Sequence, residues 1–164
     1  MRFFGTLQTP VGEIGVVSDG AAITRVGWRP TRPKDAVDEP DPLLTDALRQ
    51  LGAYFAGDLR RFTLPVDLGD QTESTRIVLT TLYEDVGFGE SVTYGELAAR
   101  SGTGVPARGI GAIMGANPVP IVVPCHRVLA SDGLGGYSGG EPGSGLATKR
   151  TLLELEGALP APLF

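Results

Sequence analysis

The chain of 164 residues has one cysteine and one histidine. A lone cysteine excludes an intramolecular disulfide, and a lone histidine excludes a histidine-rich metal site, so neither a disulfide-stabilised secreted domain nor a zinc centre is expected. No apolar run approaches the roughly 20 residues that cross a bilayer. Polar residues also follow Met1–Gly5 too soon for a signal peptide. We therefore expect a cytoplasmic protein that needs no metal.

Basic residues are scarce as well, with 14 Lys and Arg against 19 Asp and Glu and a pI near 4.8. Proteins that bind nucleic acid usually show the opposite balance, so the overall charge counts against DNA binding. Most of the acidic excess lies in residues 1–85, which hold 9 basic and 13 acidic side chains, whereas residues 86–164 hold 5 and 6. Long-range attraction of this nearly neutral second half to phosphate should be weak.

The start of the chain has the alternating apolar pattern and the turn signals of an antiparallel meander. Strands are predicted at Phe3–Leu7, Glu13–Val17 and Ala22–Trp28. Residues 29–42 are rich in proline and charge and have no periodicity, which predicts a surface loop. Phe62–Val66 is a weaker candidate for an edge strand.

Helices are predicted from capping residues and from apolar residues at a spacing of 3.6. Asp41 before Pro42 predicts the start of a helix that ends near Gly57. Further helices are predicted over about Thr75–Asp85 and over Ala147–Leu155.

Two short helices around a glycine-rich turn predict a helix-turn-helix unit. Thr93 and Glu96 have the spacing of a capping box, which starts a helix that runs to about Arg100. Pro106 is placed as the first residue of the second helix, which ends at Asn117.

The second of these helices is unusual because each of its three interior glycines costs about 1 kcal/mol relative to alanine. One face carries Ala107, Ile110 and Met114, which we expect in the core. The opposite face is nearly bare and consists of Arg108, Gly111, Ala112 and Gly115. Such a face suits close approach to a backbone or groove, and tight helix packing with Arg108 in solvent fits the same pattern.

Cys125 and His126 are adjacent and follow an apolar run. A thiol reacts as the thiolate, and a neighbouring imidazole can lower the thiol pKa, so the pair indicates chemistry on sulfur. An inert, buried cysteine is the alternative. Glu156 shares the apolar face of the last helix and needs a hydrogen-bond partner if buried. His126 is a candidate for that partner, while a glutamate that faces water is equally compatible with the spacing.

Together these residues resemble the O6-alkylguanine-DNA alkyltransferase family, also called methylated-DNA-protein-cysteine methyltransferase. The motifs, in family order, are Thr93–Ala98, Pro106–Gly111, Asn117–Pro120, Pro124–Val128, Tyr137–Gly140 and Leu152–Glu156. The resemblance implies an α+β fold. Residues 1–72 would form an N-terminal ribonuclease-H-like antiparallel sheet with a helix, and residues 73–164 a C-terminal winged-helix-like helix-turn-helix domain that binds DNA.

The resemblance also implies DNA repair by a suicide methyltransferase. The protein would bind alkylated double-stranded DNA as a monomer, associate with the nucleoid while bound, and need neither a cofactor nor an obligate protein partner. It would flip the damaged base and move the alkyl group of O6-alkylguanine, and of O4-methylthymine, irreversibly to Cys125 in one turnover.

Residue roles are carried over from the family motifs. Cys125 would be the nucleophile, His126 the base acting through a water, Glu156 the group that orients the imidazole, Asn117 the link to the backbone, and Tyr94 the donor to guanine N3. The DNA-binding residues would be Thr93, Tyr94, Arg108, Gly111, Ala112 and Gly115, with Arg108 entering the base stack. The alkylguanine pocket would comprise Met114, Val128, Tyr137, Ser138 and Gly139, with Ser138 near O6.

The chain departs from the family pattern beside this pocket. The segment from Cys125 to Tyr137 is one residue shorter than expected, and residues 141–145 look inserted. Both changes bear on the size of the alkyl group that fits.

Two other functions remain open at this point. A binding module could flip alkylated bases without repairing them, although relatives of that kind lack the cysteine. A cysteine hydrolase or peroxidase could use Cys125 and His126, but hydrolases usually hold the histidine far away in sequence, and no resolving cysteine is present.

Overall fold

The computed structural model describes residues 1–159. Its strands are β1 (Arg2–Thr9), β2 (Gly12–Ser18), β3 (Ile23–Trp28), β4 (Ala36–Val37), β5 (Val92–Thr93) and β6 (Val128–Leu129). Its helices are α1 (Pro42–Phe55), α2 (Glu73–Asp85), α3 (Tyr94–Ser101), α4 (Ala107–Gly115) and α5 (Gly145–Leu155), with a 3-10 turn at Cys125–Arg127. The fold class is α+β, as predicted. No helix within residues 1–159 is long and apolar enough to cross a membrane.

The first half of the chain forms a four-stranded sheet of order β3-β2-β1-β4, with α1 packed on it. The predicted antiparallel meander is confirmed in β1, β2 and β3. The prediction of an irregular loop over residues 29–42 is wrong at Ala36–Val37, which pair in parallel with Arg2 and Phe3. A strand of two residues is too short to show the alternating apolar pattern in the sequence. It forms because the edge of β1 is free to pair with it.

The predicted edge strand at Phe62–Val66 is also wrong, because the segment makes only an isolated bridge to the start of β3. The Ile23 amide donates to the Pro65 carbonyl at 2.8 Å, and the Asp67 amide donates to the Ile23 carbonyl at 3.0 Å. Proline has no N–H to donate, so Pro65 limits the ladder to this contact.

The first two helices begin where side-chain caps satisfy their free amides. Asp41 accepts a 3.0 Å hydrogen bond from the Leu44 amide, as its place before Pro42 predicted. Thr72 accepts from the Thr75 amide at 3.2 Å, so α2 starts two residues earlier than the predicted Thr75.

The helix-turn-helix prediction is confirmed by α3 and α4, which pack against each other. In the capping box, the Glu96 amide donates to the Thr93 hydroxyl and the Thr93 amide donates to the Glu96 carboxylate, both at 3.1 Å. Pro106 is the N-cap of α4 rather than its first residue, and α4 ends at Gly115 rather than Asn117.

The core face of α4 was predicted correctly for two of three residues. Ile110 and Met114 are buried, but Ala107 is exposed, because the first turn of α4 projects beyond the core. A Cβ at Gly109 would lie 2.7 Å from a Val105 methyl, so glycine is needed there for close packing, which offsets its helix cost.

Two connections place the active-site segment between the two halves of the molecule. β5 pairs in parallel with β6, which ties the start of α3 to Val128 and Leu129. On the other side, the Val26 amide of the edge strand β3 donates to the Pro118 carbonyl at 3.0 Å. The segment that carries Cys125 is therefore held by both the sheet and the helix-turn-helix.

Candidate functional site

Cys125 begins a buried 3-10 turn, and every residue from 119 to 128 is buried. Asn117 organises the approach to this turn. Its side-chain amide donates to the Val123 carbonyl at 2.9 Å, and its side-chain oxygen accepts from the Val119 amide at 3.0 Å. These contacts agree with the expectation that Asn117 links the site to the backbone.

Glu156 is buried at the end of α5 and accepts hydrogen bonds from three side chains. The His126 Nε2 atom lies 2.7 Å from Glu156 Oε2, as anticipated from the sequence. Arg127 donates through Nε at 2.8 Å and through Nη2 at 3.1 Å, and the Tyr54 hydroxyl donates at 2.6 Å. Arg127 also donates from Nη1 to the Val86 carbonyl at 2.7 Å. Sequence reasoning assigned no role to Arg127 or Tyr54.

The network fixes the charge and tautomer of His126. Burial by itself would raise the pKa of Glu156, but hydrogen bonds and charges from His126 and Arg127 outweigh it and lower the pKa to about 2. Burial lowers the pKa of His126 despite the nearby carboxylate, so the imidazole is neutral. With Glu156 ionised, Nε2 carries the hydrogen that it donates. Nδ1 has no hydrogen-bond partner within residues 1–159 and is left as a proton acceptor.

The environment of Cys125 corrects the expectation of a thiol activated by its neighbour. Burial raises the pKa of Cys125, while the Asn117 amide and the Lys149 ammonium act to lower it. The adjacent imidazole is neutral and directed at Glu156, so it supplies no positive charge. The resting cysteine is therefore a thiol, and the thiolate has to form by proton transfer during the reaction.

Lys149 is a charged residue of the site to which the sequence analysis assigned no role. It lies on α5 and is fully buried, and its Nζ donates to the Val128 carbonyl at 2.7 Å and to the Gly136 carbonyl at 3.0 Å. The ammonium also lies 5.9 Å from the centre of the Tyr94 ring. Burial lowers the pKa of Lys149 to about 8, with Cys125 acting in the opposite direction. Its presence on the buried face of α5, beside Leu152 and Leu153, was the available signal.

Cys125 is reached through a cavity of about 290 Å³ beside α4, here called the base pocket. Its lining residues are Tyr94, Gly111, Met114, Gly115, Cys125, Gly136, Tyr137 and Ser138. Burial raises the pKa of Tyr94, so its hydroxyl stays protonated and can donate a hydrogen bond. The Ser138 hydroxyl donates to the Gly115 carbonyl at 3.2 Å.

Two of the predicted pocket residues lie elsewhere. Val128 is fully buried behind Cys125, and its carbonyl accepts the hydrogen bond from Lys149. Gly139 lines a neighbouring cavity that also reaches Cys125.

The bare face of α4 is open to solvent near the base pocket. Arg108, Ala112 and Gly115 are exposed, and Gly111 is half-buried. A Cβ at Gly111 would lie 3.9 Å from the Tyr94 ring, and one at Gly115 would lie 3.9 Å from the Ser138 hydroxyl. Because these two glycines have no side chain, α4 leaves space on the side that borders the base pocket.

The acidic and sulfur ligands that could hold a metal are dispersed. Within residues 1–159, no group of three or more His, Cys, Asp or Glu side chains is placed to bind an ion. Residues 141–145 form a tight turn, in which the Ser144 amide donates to the Glu141 carbonyl at 2.9 Å.

Fold and site together define a class of protein in which a helix-turn-helix borders a pocket that is lined by a cysteine, and the next residue is a buried histidine that pairs with a glutamate. Two family models match the chain. The 6-O-methylguanine DNA methyltransferase ribonuclease-like domain covers residues 3–68, and the DNA-binding domain of the same family covers residues 74–158.

Individual relatives agree. Methylated-DNA–protein-cysteine methyltransferase of Mycobacterium bovis is 36% identical over 95% of this chain and 93% of its own length. The protein of that name in Methanosarcina acetivorans is 35% identical over 95% and 99%. The crystal structure of Mycobacterium tuberculosis OGT in complex with DNA superposes with a TM-score of 0.81 at 35% identity and covers 95% of this chain and 93% of that one. The chain belongs to the 6-O-methylguanine DNA methyltransferase family.

Proposed function

We propose that this protein repairs alkylated duplex DNA by moving the O6-alkyl group of guanine onto Cys125, once per molecule. The observation that supports this most directly is the position of the only cysteine, at the floor of a pocket that opens beside the exposed face of α4. A relative with the same fold in complex with DNA supports DNA as the partner. The same chemistry would extend to the O4-methyl group of thymine.

The nucleophile is generated within the buried network. His126 Nδ1, which has no direct hydrogen-bond partner within residues 1–159, takes the Cys125 proton through a bridging water. The resulting imidazolium is stabilised by the ionised Glu156 that accepts its Nε2 hydrogen bond. Arg127 and Tyr54 hold that carboxylate in place through three further hydrogen bonds. This division of roles follows the nucleophile, base and orienting-acid logic of covalent catalysis.

Transfer then proceeds as a displacement at carbon. The sulfur forms a bond to the alkyl carbon as the carbon–O6 bond breaks. The electron pair of the carbon–O6 bond stays with guanine, which leaves as an anion. A hydrogen bond from the neutral Tyr94 hydroxyl to N3, with Ser138 near O6, would spread that negative charge. The product is a thioether, which no group in the site can hydrolyse, so the protein reacts once.

Access to duplex DNA requires the damaged base to leave the stack, at a cost of a few kcal/mol. Arg108 is exposed on α4, next to the glycine face, and is assigned to fill the vacated space. With an acidic protein, affinity would rest on contacts from backbone amides and helix N-termini rather than on net charge. The capping residue Thr93 and the exposed Ala112 and Gly115 would lie at this interface.

We also infer a monomer whose two domains meet at residues 72 and 73. The polar segment before α2 and the separate matches of the two family models support a boundary there. The proposed site is formed by a single chain, and residues of both halves contribute to it.

Intact mass spectrometry after incubation with a duplex that contains O6-methylguanine tests the proposal. One methyl group should be gained per molecule, and peptide mapping should place it on Cys125. Cys125→Ala should gain nothing while still binding the damaged duplex. An unchanged mass together with tight binding would support a recognition module instead, and repeated turnover would support a hydrolase.

A further inference from the structure

A second cavity, here called the side cavity, reaches Cys125 from the direction of the sheet. It has a volume of about 400 Å³ and is lined on one side by Arg25, Gly27, Trp28 and Arg29. Cys125 lines both cavities, together with Met114, Gly115, Tyr137 and Ser138. The two spaces are therefore neighbours that share Cys125 as a wall.

The position of β3 explains why residues of the sheet border this cavity. As the edge strand, β3 is fastened to the active-site segment by the Val26–Pro118 hydrogen bond. The Trp28 ring packs edge-on against Tyr137, with centroids 6.1 Å apart and an interplanar angle of 85°. A Cβ at Gly27 would meet no atom within 4 Å, so the wall between the two arginines is open.

The charge of the side cavity is positive. Arg25 and Arg29 are both exposed and both line it, and no carboxylate is among its lining residues. Within residues 1–159, neither arginine forms a salt bridge. The cavity thus combines two available guanidinium groups, which suit a carboxylate, with an aromatic wall beside the reactive sulfur.

The in-line geometry of the attack by sulfur on the alkyl carbon indicates which part of the substrate would occupy the side cavity. Sulfur, the attacked carbon and O6 must lie in line, so anything else attached to that carbon projects sideways from the line. With guanine in the base pocket, a substituent longer than methyl has to extend beside the sulfur. The side cavity is the space that borders the base pocket there.

We propose that the side cavity accepts O6 substituents that carry a carboxylate, of the carboxymethyl type, and that Arg25 and Arg29 select for that charge. This inference rests on the proposed function. In the reaction, the Cys125 thiolate forms a bond to the methylene carbon, and the carbon–O6 bond breaks with its electron pair passing to guanine. Cys125 keeps the carboxymethyl group as a thioether, and the carboxylate stays ionised throughout.

Three duplexes that differ only in the O6 group test the inference. The groups are methyl, carboxymethyl and carbamoylmethyl, the last being a neutral amide of nearly the same size as the acid. Single-turnover rates should show carboxymethyl reacting faster than carbamoylmethyl. In Arg25→Gln/Arg29→Gln, this ratio should fall about tenfold while methyl transfer stays unchanged. Arg49→Gln/Arg100→Gln, which removes the same two charges from exposed positions on α1 and α3 outside the cavity, should leave the ratio as it is.

A variant that changes only the size of the side cavity distinguishes the effect of charge on the transfer rate from the effect of available space. Gly27→Leu should slow carboxymethyl and carbamoylmethyl transfer alike and leave methyl transfer unchanged, because the leucine narrows the side cavity without touching the base pocket. Equal slowing of all three substrates in the arginine variants would overturn the inference and indicate that Arg25 and Arg29 contact DNA. An unaltered acid-to-amide ratio would also overturn it. Absence of methyl transfer by the unmodified protein would instead refute the proposed function.

Discussion

The Tyr54 hydroxyl donates a 2.6 Å hydrogen bond to the carboxylate of Glu156, a residue 102 positions away in the chain. Tyr54 lies on α1, which packs on the sheet, and Glu156 caps the end of α5. Burial and the adjacent carboxylate raise the pKa of Tyr54, so it remains a donor. The N-terminal half therefore helps to position the group that orients His126.

Tyr54→Phe tests this connection. Loss of one buried hydrogen bond should lower the free energy of unfolding by about 1–3 kcal/mol and slow alkyl transfer several-fold. Urea unfolding and single-turnover rates are the measurements. Tyr83→Phe is a matched control, because its hydroxyl makes only a 3.3 Å bond to the Phe62 carbonyl away from the site. Transfer at the original rate in Tyr54→Phe would show that the hydrogen bond serves stability alone.

Glu156→Gln should change the response of stability to acid. The folded-state pKa of about 2 lies below the ordinary value of 4.5, so the carboxylate stabilises the fold above pH 4.5 and loses that contribution as pH falls toward 2. The contribution is roughly 3 kcal/mol. Urea unfolding at several pH values should show a shallower acid decline in Glu156→Gln than in the unmodified protein, with lower stability at pH 7 because Arg127 is left unpaired.

The neighbouring variant Glu154→Gln should retain the full acid decline, since it leaves Glu156 and its bonds to His126, Arg127 and Tyr54 in place. Alkyl transfer should be slow in Glu156→Gln but not in Glu154→Gln, because an amide at position 156 stabilises the imidazolium less than a carboxylate does. Equal acid profiles for the unmodified protein and Glu156→Gln would remove Glu156 from this role.

Lys149 should tune the reactivity of the cysteine. The ammonium favours the thiolate, and because its own pKa is about 8, this help is present below pH 8 and fades above it. Lys149→Met should therefore slow the modification of Cys125 by iodoacetamide about tenfold below pH 8 and change it little above pH 9, which alters the shape of the pH profile. The readout is unambiguous in a chain with one cysteine. Lys149→Arg, which keeps the charge, should alter the profile less, and an unaltered profile in Lys149→Met would contradict the electrostatic role.

Arg108→Ala should slow repair of O6-methylguanine in duplex DNA about tenfold if Arg108 fills the space of the flipped base. Reaction with the free base should be unaffected, because no flipping is required. Arg100→Ala, which removes an exposed arginine from the end of α3, is the control for charge. Equal rates on duplex DNA for Arg108→Ala and the unmodified protein would exclude the assignment.

Local signals predicted much of the fold. The meander, the Asp41 cap, the Thr93–Glu96 capping box and the helix-turn-helix were all recognised because each depends on residues within a few positions of one another. The failures have a common cause. The β4 pair and the bridge at Val66 form only because an edge strand is available elsewhere, and the exposure of Ala107 depends on how far α4 extends past the core.

The candidate site divides in the same way. The motif order identified the family, and the spacing on α5 made Glu156 a candidate partner for His126, with a glutamate that faces water left open. The chain by itself could not place Arg127, Tyr54 and Lys149 around that pair, nor set the thiol pKa, because those properties depend on burial and on contacts between distant segments. Local hydrogen bonds and periodicity depend on residues that are close in the sequence, so the sequence determines them. The pKa of the cysteine and the cavity beside β3 depend on residues that are far apart in the chain. They are set only when the sheet, the helix-turn-helix and α5 pack together.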